Sequence, residues 1–228
     1  MTLSVIIPAL NEARRIPGLA AGLARQNTAH EVILVDGGSD DETVQLARNA
    51  GYKTLTTSAG RGRQLRVGAE AANGDILLFL HADSQLPDGA LAAIENALRT
   101  HPAAPGGNFK LVFDGDDDFS RWLNGFYAWI RARGFYYGDS GVFVRRQVYD
   151  HIGGIRPIAL MEDYDFNRRM ERYGETVCIE DPVLTSSSRR FRNRRPGAIV
   201  MGWIIIHGLF HLGVAPDRLA RWYNSKRA

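Results

Sequence analysis

The sequence predicts an α/β fold, a Rossmann-like and mostly parallel sheet flanked by helices, with a helical extension at the C-terminal end. Three observations carry this. Short apolar runs recur in the first half, at Leu3 to Ile7, Glu31 to Val35 and Ile76 to Leu80. They lack the in-out alternation of a half-solvated strand, so each reads as a strand covered on both faces. The segments between them have helical length and polarity, the spacing of βαβ units. Finally, no charged side chain occurs from Pro196 to Pro216, after a linker with five arginines between 189 and 195.

In chain order, Leu3 to Ile7 is a strand that Pro8 is expected to stop. A helix opens at Asn11 and runs to about Arg25. The second strand ends in Asp36-Gly37-Gly38, and Ser39-x-x-Glu42 has the spacing of a capping box for a helix to Asn49. Lys53 to Thr56 is a third strand and Arg63 to Ala72 a third helix. Ile76 to Leu80 is the fourth strand, ending in His81-Ala82-Asp83. In open α/β sheets ligands bind beyond the carboxyl ends of the strands. Chemistry is therefore expected at Pro8 to Glu12, Asp36 to Asp40 and His81 to Asp83. Past Pro102 the pattern changes. Asn108 to Phe113 is a strand, Asp114 to Asp118 an acidic turn, and Phe119 to Arg133 a helix rich in aromatic residues. Tyr136 to Val144 is a loop leading into a strand, Gly153-Gly154 a turn, and Met161 to Gly174 a helix. Val177 to Ile179 is a short strand.

The 228 residues, 45% of them hydrophobic, suffice for one sizeable domain and exclude a disordered, collagen-like or disulfide-scaffold protein. Cys178 is the only cysteine, which is compatible with a reducing compartment. A net charge of +3 is too small to indicate a nucleic-acid partner. Positive charge is nearly all arginine, which suits bidentate phosphate binding. The apolar start lacks a basic flank and is broken by Pro8 and Asn11-Glu12, so it reads as a strand rather than a signal peptide. A cytoplasmic location is expected.

Asp36 ends a buried strand, where a carboxylate needs hydrogen-bond partners. Either it accepts the imino N–H of uracil, thymine or guanine, which the converging polar groups favour, or it orders the Gly37-Gly38 turn. Glu12 either reaches a ribose or base edge or complements a helix dipole. Gly60-Arg61-Gly62-Arg63-Gln64 precedes a helix and offers close backbone approach to an anion. It is neither a P-loop nor a dinucleotide fingerprint, which counts against a P-loop NTPase and a Rossmann dehydrogenase. His81-Ala82-Asp83 either holds a divalent ion against a diphosphate or belongs to a capping network with Ser84 and Asp88. Glu162, Asp163 and Asp165 crowd one helix start. Their repulsion is expected to raise at least one pKa, which suits a general base.

Jointly, Ser-Val-Ile-Ile-Pro-Ala-Leu-Asn-Glu (4–12), Val-Asp-Gly-Gly-Ser-Asp-Asp-Glu-Thr (35–43), His-Ala-Asp-Ser (81–84) and Glu-Asp-Tyr-Asp (162–165) resemble family 2 glycosyltransferases. Gly60 to Gln64 and Tyr137 to Gly141 are further similar to a bacterial subgroup named for arsenosugar biosynthesis. The resemblance implies a GT-A fold over residues 1–185, with a nucleotide-sugar half (1–115) and an acceptor half (116–185). Residues 186–228 then form a basic linker and C-terminal helices. Pro8, Asn11, Glu12 and Asp36 would surround the nucleoside, with Gly37, Arg61, Arg63, Gln64, His81 and Ala82 on the nucleotide side. Asp83 would be the last Asp of a D-x-D metal motif. His81 departs from that motif's first Asp, so Mn²⁺ is better suited than Mg²⁺, or Arg61 and Arg63 share in neutralising the diphosphate. Asp163, beside Glu162, would be the base of an inverting transfer from a UDP or GDP sugar to an acceptor hydroxyl. Asp139, Tyr137, Trp122 and Trp129 are candidates for sugar or acceptor contact, with core packing the alternative for the aromatics.

Two other readings stay open: a polyprenyl-phosphate glycosyltransferase at the membrane surface, and a non-catalytic nucleotide-sugar-binding protein. Gly197 to Ala215 has the length of a membrane span with an arginine flank. His207 and His211, four apart on one face, count against one. The tail is expected to pack on the domain or on a second copy in a homodimer, with peripheral lipid contact through Arg189 to Arg195 as the next choice.

Overall fold

The computed structural model describes residues 1–191 and 195–225. Arg192 and Arg194, part of the linker on which lipid contact is expected, lie outside the described residues.

Four strands form the first half of the sheet: β1 (Leu3–Ala9), β2 (His30–Asp36), β3 (Lys53–Thr56) and β4 (Ile76–Phe79). They are parallel, with Val5 of β1 opposite Val32 on one side and Leu78 on the other. The connecting helices are α1 (Ile16–Ala24), α2 (Thr43–Asn49) and α3 (Arg61–Glu70). Alternate side chains of β1 serve opposite faces. Val5 and Ile7 pack with Ile16, Leu19 and Leu23 of α1, whereas Ile6 packs with Leu65 and Ala69 of α3. Covering both faces is what the unbroken apolar runs require.

Pro8 does not end β1. Ile6 O accepts the Leu80 N–H on the β4 side, while Ala9 O accepts the Gly37 N–H on the β2 side. Pro8, two residues beyond Ile6, faces β4 where pairing has already ended at Phe79, so its missing N–H costs no ladder bond. The capping box also fails. α2 starts only at Thr43, and Glu42 at its N-cap makes no side-chain bond. The Ser39 hydroxyl instead serves Asp36. Likewise α1 starts at Ile16 rather than near Asn11, which sits in the left-handed region at φ 56°.

The second half adds β5 (Ser84–Gln85), α4 (Ala90–Thr100), β6 (Gly106–Phe113), α5 (Asp118–Arg131), β7 (Val142–Arg145), α6 (Arg146–His151), α7 (Glu162–Tyr173), β8 (Val177–Ser186), α8 (Pro196–His211) and α9 (Pro216–Ser225). The sheet order is β3-β2-β1-β4-β7-β6-β8-β5. Most strand pairings are parallel as expected, including β6 with β8, but the second half also brings antiparallel ones. β7 runs antiparallel to both β4 and β6, and β5 antiparallel to β8. The sheet is therefore mixed. β8 is ten residues long rather than three, because it follows β6 past a register shift to Ser186. α8 is a 16-residue helix, and among the described residues no helix is long and apolar enough to cross a membrane. Its Ile199 packs with Leu123, Phe113 and Phe191, and its Ile206 with Met161 and Tyr164.

Candidate active site

Two loops at the carboxyl ends of β1 and β2 are stapled together. Asn11 N–H donates to Ser39 Oγ (2.8 Å), Asn11 Oδ1 accepts Asp40 N–H (2.9 Å), and Glu12 N–H donates to Thr43 Oγ1 (2.8 Å). Asp36 is 3% exposed and organises this edge. Its carboxylate accepts the Gly38 N–H (2.9 Å), the Ser39 N–H (3.0 Å) and the Ser39 hydroxyl. Those bonds take up most of what two carboxylate oxygens can accept. The geometry is that of the turn-ordering alternative, and it leaves the carboxylate limited further capacity to accept a base N–H. Gln64 is also occupied. It is buried, and its amide donates to Ala9 O (2.8 Å) and Val35 O (2.9 Å), clamping the ends of β1 and β2 beneath Gly37. Ala82 is buried in the core, and Arg63 is exposed and bonded to Ser58.

The charged centre lies where α3 meets α7. Glu162 and Asp163 stand in the first turn of α7, whose dipole favours acids there. Met161, just before them, holds a left-handed conformation at φ 68°, a strained state for a residue with a long side chain. Arg61, at the start of α3, bonds Glu162 through Nε and Asp163 Oδ2 through Nη2 (2.9 Å), and its Nη1 lies 3.2 Å from His81 Nε2. Gly62 permits this approach. A Cβ there would lie 2.8 Å from Arg156 O and 3.1 Å from Glu162 Cβ. Gly62 is thus a packing glycine at the junction of α3 with the segment before α7. Asp165 is outside the centre, paired with Arg156 (3.0 Å) and Arg169 (2.8 Å).

Only one of the two central acids has the raised pKa that crowding suggests. Burial lifts Glu162, 2% exposed, and the neighbouring Asp163 adds to this against Arg61. Burial also acts to raise Asp163, but Arg61, the Gly138 N–H (2.9 Å) and the Tyr164 N–H (2.8 Å) outweigh it and hold the carboxyl below its ordinary value. Burial disfavours the charge on Arg61 too, yet the two carboxylates raise its pKa above the usual guanidinium value.

These groups form the floor of a cavity of about 600 Å³, which also takes in Tyr137 and Asp139. Asp139 is buried and accepts from Tyr127 OH (3.3 Å). Burial pushes the Tyr137 phenol well up, and its OH lies 3.0 Å from His207 Nε2. Trp122 and Trp129, at 46% and 54% exposed, are neither core residues nor lining residues. Their helix α5 instead turns Phe126 and Tyr127 to the cavity. The sequence reading missed Phe191, Val200, Trp203, Ile204, Ile206, His207 and Tyr223, which wall it from above. The one available signal was the pairing of Trp203 with His207 and of Val200 with Ile204, four apart on α8. His207 and His211 do share a face, but it binds tyrosines: His211 Nε2 lies 2.9 Å from Tyr164 OH.

Among the described residues, no group of three or more His, Cys, Asp or Glu side chains is placed to hold a metal ion. His81 Nε2 faces the Arg61 cation, which argues against it as a ligand in this arrangement. Asp83, between β4 and β5, is the carboxylate of the His81-Ala82-Asp83 motif. One or two carboxylates with substrate phosphates are a sufficient set for a hard divalent ion.

Residues 4–160 match the family described as glycosyl transferase family 2. A 4,4'-diaponeurosporenoate glycosyltransferase of Staphylococcus haemolyticus is 37% identical over 41% of this chain, which spans 27% of that enzyme. A PGL/p-HBAD biosynthesis glycosyltransferase of Mycobacterium bovis is 30% identical over 80% of this chain, which spans 72% of it. Among solved structures, glucosyl-3-phosphoglycerate synthase from Mycobacterium tuberculosis, in complex with Mn²⁺, UDP and glucosyl-3-phosphoglycerate, superposes with a TM-score of 0.63 at 20% identity. That match covers 93% of this chain and 80% of the synthase. The fold is of the GT-A type, and the chain belongs to glycosyl transferase family 2.

Proposed function

We propose that the protein transfers a sugar from a nucleotide-diphosphate sugar to an acceptor hydroxyl, with inversion and with Asp163 as the base. The observation that carries this is the placing of Asp163 on the cavity floor, against Arg61, which also reaches His81 just past β4. Residues 1–115 hold the donor, with the stapled loops around Asn11 and Asp36 shaping the nucleoside side. Residues 116–185, together with the helices of 186–228, form the acceptor side. The two segments that carry the finer subgroup likeness support this division, since Arg61, Tyr137 and Asp139 all face the one cavity.

The ion pair sets the order of events. While Arg61 is bonded to Asp163, the carboxylate is a weak base. The donor diphosphate competes for the guanidinium, and drawing Arg61 toward it strips Asp163 of its closest positive charge, which raises its proton affinity. Asp163 then takes the acceptor proton as the oxygen attacks the anomeric carbon opposite the leaving nucleotide. Glu162 keeps its bond to Arg61 Nε while the Nη2 edge turns from Asp163 to the diphosphate. There Arg61 faces the charge that develops on the leaving group and lowers the barrier. A divalent ion bound by Asp83 and the diphosphate would supply further charge neutralisation. The Mn²⁺ and UDP of the mycobacterial synthase support both the donor class and the ion.

The test is nucleotide release from a panel of UDP and GDP sugars. Wild type should turn over at least one donor, and Asp163→Asn should lose about 10²- to 10⁴-fold with nucleotide affinity changed only a few fold. Tight donor binding with no turnover on any acceptor would favour a non-catalytic binding protein.

A further inference from the structure

Resting on the glycosyltransfer reading, the inference concerns the acceptor. We infer that the acceptor carries its reacting hydroxyl on an apolar, ring-bearing body, recognised by a wall built from α5, α8 and α9.

Above the acids the cavity is lined by Phe126, Phe191, Val200, Trp203, Ile204 and Tyr223. The rings are ordered among themselves. Phe126 stacks on Trp203 (centroids 6.5 Å, planes 15° apart), and Phe191 meets Trp203 edge-on at 5.9 Å. Most of the polar side chains that face this space are bonded to one another. Tyr127 OH donates to Asp139, Tyr137 OH pairs with His207, and Arg61 binds Glu162 and Asp163. A carbohydrate acceptor would bring several hydroxyls into this space and leave most of them without partners, an expensive outcome in a desolvated site. A single hydroxyl on an apolar frame needs one polar contact, which Asp163 supplies, and gains from burying the rest.

The wall is also fixed in place. Tyr137–His207 ties one turn of α8 to the loop before β7, and Tyr164–His211 ties the next turn to α7, which carries the acids. The apolar surface continues past the rim. Ile204 lines the cavity and is still 60% exposed, Met201 lies nearby on the exposed side of the same helix, and exposed Trp122 stacks on Phe126 at 5.1 Å. This outer surface suits a body longer than the cavity.

The test uses 4-heptylphenol as the probe and methyl glucoside as the carbohydrate comparison, both titrated calorimetrically into the full chain without donor. Heptylphenol should bind, methyl glucoside should not, and Ile204→Asp should weaken heptylphenol at least 10-fold at an unchanged melting temperature. Ile204→Leu should restore the affinity. Absence of heptylphenol binding, indifference to Ile204→Asp, or preferential binding of methyl glucoside would overturn the inference. Donor turnover is read separately, by nucleotide release. Release accompanied by glycosylation of methyl glucoside and not of heptylphenol would sink the apolar acceptor and leave glycosyltransfer standing. Heptylphenol binding without release from any donor would support the apolar site and count against the transfer reading alone.

Discussion

At the scale of single residues, the centre depends on close approaches that leave no room for a methyl group. Gly138 is the case that touches Asp163 directly. A Cβ there would lie 3.1 Å from Asp163 Oδ2 and 3.4 Å from His81 Nε2. Gly138→Ala should displace the carboxylate by a fraction of an ångström. It should lower turnover by as much as about 100-fold, the scale on which misplaced catalytic groups act, while the melting temperature moves little. Steady-state kinetics beside a thermal melt checks this. Asp36 shows the limit of reading residues one at a time. Its place at a strand end was legible, and so was its need for partners. That the partners are the amides and hydroxyl of its own turn depends on backbone geometry that a list of residue types does not contain. Asp36→Ala should leave those donors unsatisfied and cost about 1–3 kcal/mol, measurable by denaturant titration.

Among elements, the junction of α3 with the segment before α7 carries the site, and Gly62 is its contact point. Gly62→Ala puts a Cβ 2.8 Å from Arg156 O and 3.0 Å from Ile158 O, both backbone atoms. Such overpacking should cost about 1–3 kcal/mol and should reduce turnover as well, since α3 and α7 carry Arg61 and Asp163. The docking of α8 has a pH signature. Burial, with His211 adding to it, depresses the pKa of His207 below its ordinary 6.5, against an opposing pull from Asp163. A depressed folded-state pKa means stability that is complete above the unfolded pKa and lost as pH falls through the folded one. The melting temperature should therefore hold from pH 8 to about 6.5 and decline below it. In His207→Asn that decline should flatten before the general acid loss of the carboxylates begins. The tail illustrates why elements were only partly legible: length and hydropathy permitted a span, and only the aromatic partners on α5 and α7 show what its apolar faces cover.

Over the whole molecule, the two halves differ in legibility for one reason. The first half is built from βαβ units, so its elements and its ligand-binding edge follow from local periodicity, although the pairing of β4 with β1 does not. In the second half, β7 inserts between β4 and β6, and β8 pairs with both β6 and the short β5. Those pairings join distant segments, and no local pattern announces them. The site divides in the same way. The acids and Arg61 were visible as motifs, while the cavity wall, assembled from α5, α8 and α9, was not.

A single-displacement transfer with Asp163 as the base inverts the anomeric carbon. The most direct measurement is the anomeric configuration of the product by NMR, from a donor that wild type turns over, run beside Asp163→Asn. The product should have the configuration opposite to the donor's, and the variant should lose nearly all transfer. A retained configuration, or an Asp163→Asn enzyme as fast as wild type, would contradict this mechanism.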